Sequence, residues 1–187
     1  VTGDNVVEAN TSGSHQIARV FNSVAGSPFT VSIYGKAGPR RYLRFALNDS
    51  ATFAVAIFDL LLGTVVSTGA GSAGIVSMGG GVYRCILSGT GTSTGANNGT
   101  IYIQLSNDGV GASYLGDGTS YLSLCGVQLE AGSIATGRID TTTAPVTLTD
   151  YTASGTTLTL AEVPARAAEL TVDGTGVNLP LLQIGGY

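Results

Sequence analysis

The sequence has 187 residues, 28 of them glycine and none tryptophan, with charged residues at only 11%. That is enough chain for one large β-domain, or for one domain and a small appendage. A net charge of −4, a pI near 4.7 and the absence of any basic run exclude binding to a phosphate backbone, so no nucleic-acid partner is expected.

Mean hydropathy is +0.32, yet no run approaches the ~20 apolar residues of a membrane helix. The longest, from Phe53 to Leu62, is interrupted by Asp59. The apolarity is therefore assigned to buried strands and an oligomer interface, with no membrane insertion. No signal peptide is visible and the chain begins with Val1, so a fragment of a longer protein is expected.

In chain order, residues 1–20 are loosely patterned, with a turn at 10–14 and an alternating run at 15–21. His15 is the sole histidine; it offers no metal constellation and no nucleophile–base pair, and a partly exposed, ordinary histidine is expected. Residues 29–36 form the clearest strand: Phe29, Val31 and Ile33 point one way, and Thr30, Ser32, Tyr34 and Lys36 the other. After a Gly38-Pro39 turn, residues 40–47 alternate again, with Arg40, Tyr42 and Arg44 opposite Arg41, Leu43, Phe45 and Leu47.

Further strands are expected at 52–60, 82–88 and 100–106, with a strand and a Gly-rich loop across 64–73 and a short run at 75–78 before Gly79-Gly80-Gly81. The low-complexity run 89–99 reads as a mobile loop, and 107–112 as a turn. Serine, threonine, valine and glycine dominate, and no glycine-free stretch has helical apolar spacing.

The stretch 114–133 reads YLGDGTSYLSLCGVQLEAGS. Gly116-Asp117-Gly118 is a tight turn, because glycine tolerates φ > 0 and aspartate can bond its own backbone. A strand-like run at 121–129 follows, then a second turn at 130–133. This order of turn, strand, glycine and Gln-Leu-Glu before Gly-Ser resembles the closing strand of a β-jelly-roll module of phage tail-fibre, head-fibre and spike proteins, itself similar to carbohydrate-binding modules. The resemblance covers residues 6–144. It includes the F-T-x-S-x-Y-x-K-A pattern ending at Ala37, Asp59 and Gly63 in an F-D-L-x-x-G-T pattern, and a threonine exit at 141–143. Val82 and Cys125 stand where that family carries tryptophan.

Strands recurring at roughly ten-residue spacing predict an all-β, antiparallel β-sandwich, with a jelly roll as the topology. The resemblance makes residues 1–144 a carbohydrate-binding-module-like jelly roll. Residues 145–187 read as a short β-rich linker, or the start of a second domain or oligomerisation segment, with a small hairpin at 146–160; so short a segment can scarcely bury a core alone. Cys85 and Cys125 lie on separate predicted strands, and a disulfide needs those strands to be neighbours. The resemblance implies no required pair, and two free buried thiols are expected in a protein made in a reducing cytosol.

Catalytic constellations are sparse, and no enzyme is expected. Paired carboxylates for glycoside hydrolysis would stand roughly 5–10 Å apart across a cleft; Asp59, Asp117, Glu130 and Asp140 are the candidates, each beside turn residues. No cofactor is expected apart from a structural calcium, for which Asp4, Asp49, Asp108 and Asp117 could supply oxygen ligands. Sugars are bound by flat aromatic rings beside polar groups. Tyr34, Lys36, Arg40, Tyr42, Arg44, Arg84, Tyr102, Gln104 and Gln128 are the candidate carbohydrate-binding residues. If their strands lie in one sheet they make a single concave, Tyr/Arg-rich surface, and arginine adds a preference for carboxylated or sulfated saccharides.

The resemblance implies a non-enzymatic head-fibre, tail-fibre or spike module on a virion surface that binds host polysaccharide for adsorption. It implies contacts with other virion subunits and a homotrimer in the intact protein. A purely structural virion module is the alternative and a polysaccharide-cleaving enzyme the third reading.

Overall fold

A computed structural model of the protein describes residues 3–139. The threonine exit, Asp140 and everything expected of 145–187 lie outside the described residues.

Among the described residues twelve strands follow one another: β1 (Asp4–Val7), β2 (Ser12–Ser14), β3 (Gln16–Ser23), β4 (Pro28–Ala37), β5 (Tyr42–Asn48), β6 (Thr52–Asp59), β7 (Thr64–Thr68), β8 (Ser72–Gly79), β9 (Val82–Thr90), β10 (Gly95–Ser106), β11 (Ser113–Leu115) and β12 (Tyr121–Ala131). All pairings are antiparallel. The first sheet has the order β1-β12-β4-β9-β8, the second β3-β10-β5-β6-β7, and β11 pairs with β2 alone.

Renumbering β1, β3, β4, β5, β6, β9, β10 and β12 as one to eight turns these orders into 1-8-3-6 and 2-7-4-5, with β8 and β7 each adding an outer strand. Apart from the hairpin between the fourth and fifth of these strands, each connection crosses from one sheet to the other, which is the jelly-roll arrangement. The protein is an all-β antiparallel sandwich.

The core follows from period-two alternation. Val31 and Ile33 of β4 face Leu87 and Cys85 of β9 across the first sheet. Leu43, Phe45 and Leu47 of β5 align with Leu105, Ile103 and Ile101 of β10. All ten join one buried cluster with Phe58, Leu122 and Leu124. The two cysteines fall on opposite faces of the first sheet: Cys85 pairs with Ile33, inward, whereas Cys125 pairs with Tyr34, outward. Both thiols are free, but only Cys85 is fully buried, which corrects the expectation for Cys125. Burial pushes the Cys85 thiol pKa up.

Three local expectations change. Residues 95–99 belong to β10 rather than to a long loop. The ladder there is irregular between Gly95 and Gly99, and side-chain amides replace apolar contacts: Asn98 accepts from the Ser23 amide and Asn22 from the Asn97 amide. The strand and Gly-rich loop expected across 64–73 are β7 and the turn after it, but Ser72 and Ala73 already belong to β8, in the other sheet. His15 is buried at 6% exposure, with its ring 4.5 Å from that of Tyr114.

Strand β12 carries a bulge between Cys125 and Gln128, where Gly126 adopts φ +62°, a conformation cheap only for glycine. A Cβ there would come within 3.2 Å of the Tyr34 ring. Beyond the bulge Gln128 and Glu130 face outward and fasten the chain's exit. Gln128 Oε1 accepts from the Ile139 amide, its Nε2 donates to the Gly137 carbonyl, and Glu130 accepts from the Thr136 amide and hydroxyl.

Candidate functional site

The nine sequence-derived binding residues do not share one surface. Tyr34, Lys36, Arg84 and Gln128 stand on the outer face of the first sheet. Tyr42, Arg44, Tyr102 and Gln104 stand on the outer face of the second. Arg40 precedes β5 and belongs to neither. The single concave surface is therefore replaced by two opposite faces. Alternation tells which way a side chain points from its own strand but not which strands become neighbours.

On the first sheet Tyr34 is only 7% exposed, with the Arg84 guanidinium carbon 5.6 Å from its ring centroid. Arg84 also donates to the Ser32 hydroxyl at 2.8 Å. A ring covered in this way offers no stacking platform, which corrects the expectation for Tyr34. Gln128 spends its amide on the exit segment. What remains open is a hollow of about 150 Å³ lined by Tyr34, Lys36, Val82, Ser123, Cys125 and backbone at Gly3 and Gly35.

Arg40 is a structural clamp. Its guanidinium meets both carboxylate oxygens of Glu8 at 2.7 Å, and Glu8 is 3% exposed. Glu8 also accepts from the Tyr114 hydroxyl at 2.6 Å and the Asp117 amide at 2.8 Å. The hydrogen bond from Arg40, with those from Tyr114 and Asp117, holds the Glu8 carboxyl below its usual range against the effect of burial. Burial, reinforced by Glu8, pushes the Tyr114 hydroxyl pKa up. Gly116 allows the close approach: a Cβ there would lie 2.1 Å from the Ala9 carbonyl oxygen. Glu8 is a residue the sequence reading missed. Its only signals were the scarcity of charge and an acid among Val6, Val7 and Ala9.

The calcium candidates serve separate places. Asp117 caps its own turn through Thr119 and Ser120. Asp108 accepts from Ser106, Val110 and Gly111. Asp49 accepts from Ser23, Thr92 and Ser93, and Asp4 lies exposed on β1. Asp117 and Asp108 make the local bonds of aspartate in turns, whereas Asp49 ties its turn to Ser23 and to the segment after β9. Among the described residues no three of His, Cys, Asp and Glu come together as a metal site. Of the acids considered for hydrolysis, Asp59 pairs with Arg41 and caps Leu61 and Leu62, and Glu130 holds Thr136.

The outer face of the second sheet is built differently. Across it, Gln16 of β3, Gln104 of β10, Arg44 of β5 and Ile57 of β6 form one row. Gln104 Nε2 donates to Gln16 Oε1 at 2.6 Å, and its Oε1 accepts from an Nη of Arg44. Gln104 is 6% exposed, and Ile57 and Ala46 are buried too, so water is largely excluded from this row's floor. In the next row Tyr102 stands between Ala18 and Ala46. No bulky side chain is directly opposite its half-buried ring. Tyr42, two residues before Arg44, is engaged by the Arg41 guanidinium, 4.9 Å from its ring centroid.

Arg44 differs from its neighbours Arg40 and Arg41. Each of those holds a carboxylate, whereas Arg44 is bonded to one amide, and burial alone shifts its pKa downward. Its Nε and its second terminal nitrogen donate to no described residue. Gln16 is the second residue the sequence missed; it becomes visible only when β3 is set beside β10.

No protein-family model matches this chain, and no curated protein matches it.

Proposed function

We propose that this chain is a non-enzymatic module of a phage or phage-like particle appendage, a head fibre, tail fibre or spike, that binds host-surface polysaccharide. It acts outside the cell, at the virion surface, beside other virion subunits and within a homotrimer of the intact protein. The resemblance of residues 6–144 to such modules supports the assignment. The observation that carries the binding reading is the outer face of the second sheet, where Tyr102, Arg44, Gln104 and Gln16 lie in two adjacent rows. An open ring gives a stacking surface for the CH face of a sugar, and amide and guanidinium groups take its hydroxyls.

The test is binding of the protein to a panel of bacterial surface polysaccharides, with Tyr102→Ala beside it. Saturable binding that falls at least about tenfold in the variant, with unchanged circular dichroism, supports the reading; the figure is that of a stacked ring worth about 1.5 kcal/mol. Absence of binding to every polysaccharide overturns it.

One observation favours the structural alternative. Leu61 and Leu62 in the turn before β7, Val66 on β7 and Val76 and Met78 on β8 are all exposed. Such apolar side chains at the outer strands suit contacts between subunits. If glycan binding is absent and the protein self-associates in solution, with association lost in Val66→Asp, the module is a spacer or anchor.

A further inference from the structure

We propose that Arg44 is the specificity residue of this face and that it takes an anionic oxygen group of a saccharide, a carboxylate or a sulfate. This rests on the glycan-binding reading above.

Three arginines in one short segment differ in their charge balance. Arg40 is paired with Glu8 and Arg41 with Asp59, both in ion pairs. Arg44 has no carboxylate among the described residues, although it is the one set into a row whose floor is buried. A guanidinium taken partly out of water and left with an amide alone has lost solvation without gaining an opposite charge.

The row also fixes how the group is presented. Gln104 is held by Gln16 and in turn holds one terminal nitrogen of Arg44. The three side chains come from three strands of one sheet, so the cation is positioned by backbone pairing rather than by a loop. The Nε and the other terminal nitrogen donate to nothing among the described residues, and these two donors form the edge that grips an oxyanion through two parallel hydrogen bonds. Tyr102 is one residue pair away on the same face, within reach of the ring that would carry the acidic group. The chain's net charge of −4 repels a polyanion as a whole, so binding of one requires a local cation of this kind.

The experiment compares a polyuronate, a sulfated glucan and a neutral glucan on the intact protein, on Arg44→Gln, Arg44→Lys and Tyr102→Ala, and on Arg19→Gln, which removes an exposed cation of β3 that pairs with Ile101 and lies outside the two rows. The expected result is binding of one anionic polymer that weakens with added salt. It falls about tenfold to a hundredfold in Arg44→Gln, as for loss of a charged hydrogen bond. Arg44→Lys lies between, because a point charge replaces the planar fork, and Arg19→Gln binds as the unmodified protein does. Preference for the polyuronate identifies a carboxylate, and preference for the sulfated glucan a sulfate.

Binding of the neutral glucan as tight as that of either acidic polymer, unchanged in Arg44→Gln and lost in Tyr102→Ala, overturns the inference and leaves the glycan-binding reading standing. Binding of an acidic polymer lost equally in Arg19→Gln and Arg44→Gln also overturns it. No binding to any polymer removes both. Thermal melts that match across the variants assign the losses to recognition rather than to unfolding.

Discussion

Arg40 and Arg44 lie four residues apart, and the protein treats them in opposite ways. Arg40 is enclosed: two bonds to Glu8, a ring of Tyr114 at 5.2 Å and Asp117 at 3.7 Å complete its surroundings. That cluster ties residue 8, the start of β5 and the turn before β12 into one knot. Arg44 stands on a sheet with a single amide partner among the described residues. A cation satisfied from within holds the fold together, whereas one positioned but left without its counter-charge is ready for something from outside. The difference is in the partners, since both guanidinium groups are the same.

Acid tests the enclosed cluster most severely. Glu8, Asp117, Asp49 and Asp59 all have carboxyl pKa values below their usual ones in the folded protein. Their stabilising contribution is therefore present above the unfolded-state values near 4 and lost as pH falls through the folded ones. Denaturant midpoints should be flat from neutral pH to about 5 and drop steeply below about 4. A profile without that drop would dissolve the contrast.

Glu8→Gln comes next, with an expected loss of about 3 kcal/mol by urea unfolding, because the Arg40 cation keeps its place and loses its charge partner. Its acid transition should also be shallower. Gly116→Ala should cost about 2 kcal/mol, since its Cβ would strike the Ala9 carbonyl and the backbone must yield. Arg44→Gln should change stability by less than about 0.5 kcal/mol, because no ion pair is broken. A loss as large as that of Glu8→Gln would show that Arg44 is a structural cation and would remove the contrast altogether.

Much of the fold was legible in the chain. The alternation of Leu43, Phe45 and Leu47, and of Val31 and Ile33, gave inward faces that the sandwich keeps. The ten-residue rhythm of strands gave the architecture. The stretch 114–133 proved to be where the fold is fastened: Tyr114 and Asp117 bind Glu8, and Gln128 and Glu130 hold the exit. The candidate site was legible by halves. Tyr42, Arg44, Tyr102 and Gln104 do meet on one face, but Tyr34 was read as an open ring and is covered. Gln16 and Glu8 were not singled out at all, because Gln16 matters through a residue 88 positions away and Glu8 through residues 32, 106 and 109 positions away.

By itself the sequence determined the class of fold, most of the strands and the buried side of the clearest ones. Those follow from side-chain alternation and turn chemistry, which act over a few residues. Tertiary structure alone decided which outward residues became neighbours, and so which arginine found a carboxylate and which did not. That outcome depends on strand pairing between distant parts of the chain, and a pairing order that interleaves β10 between β3 and β5 leaves no local trace in the residues it brings together.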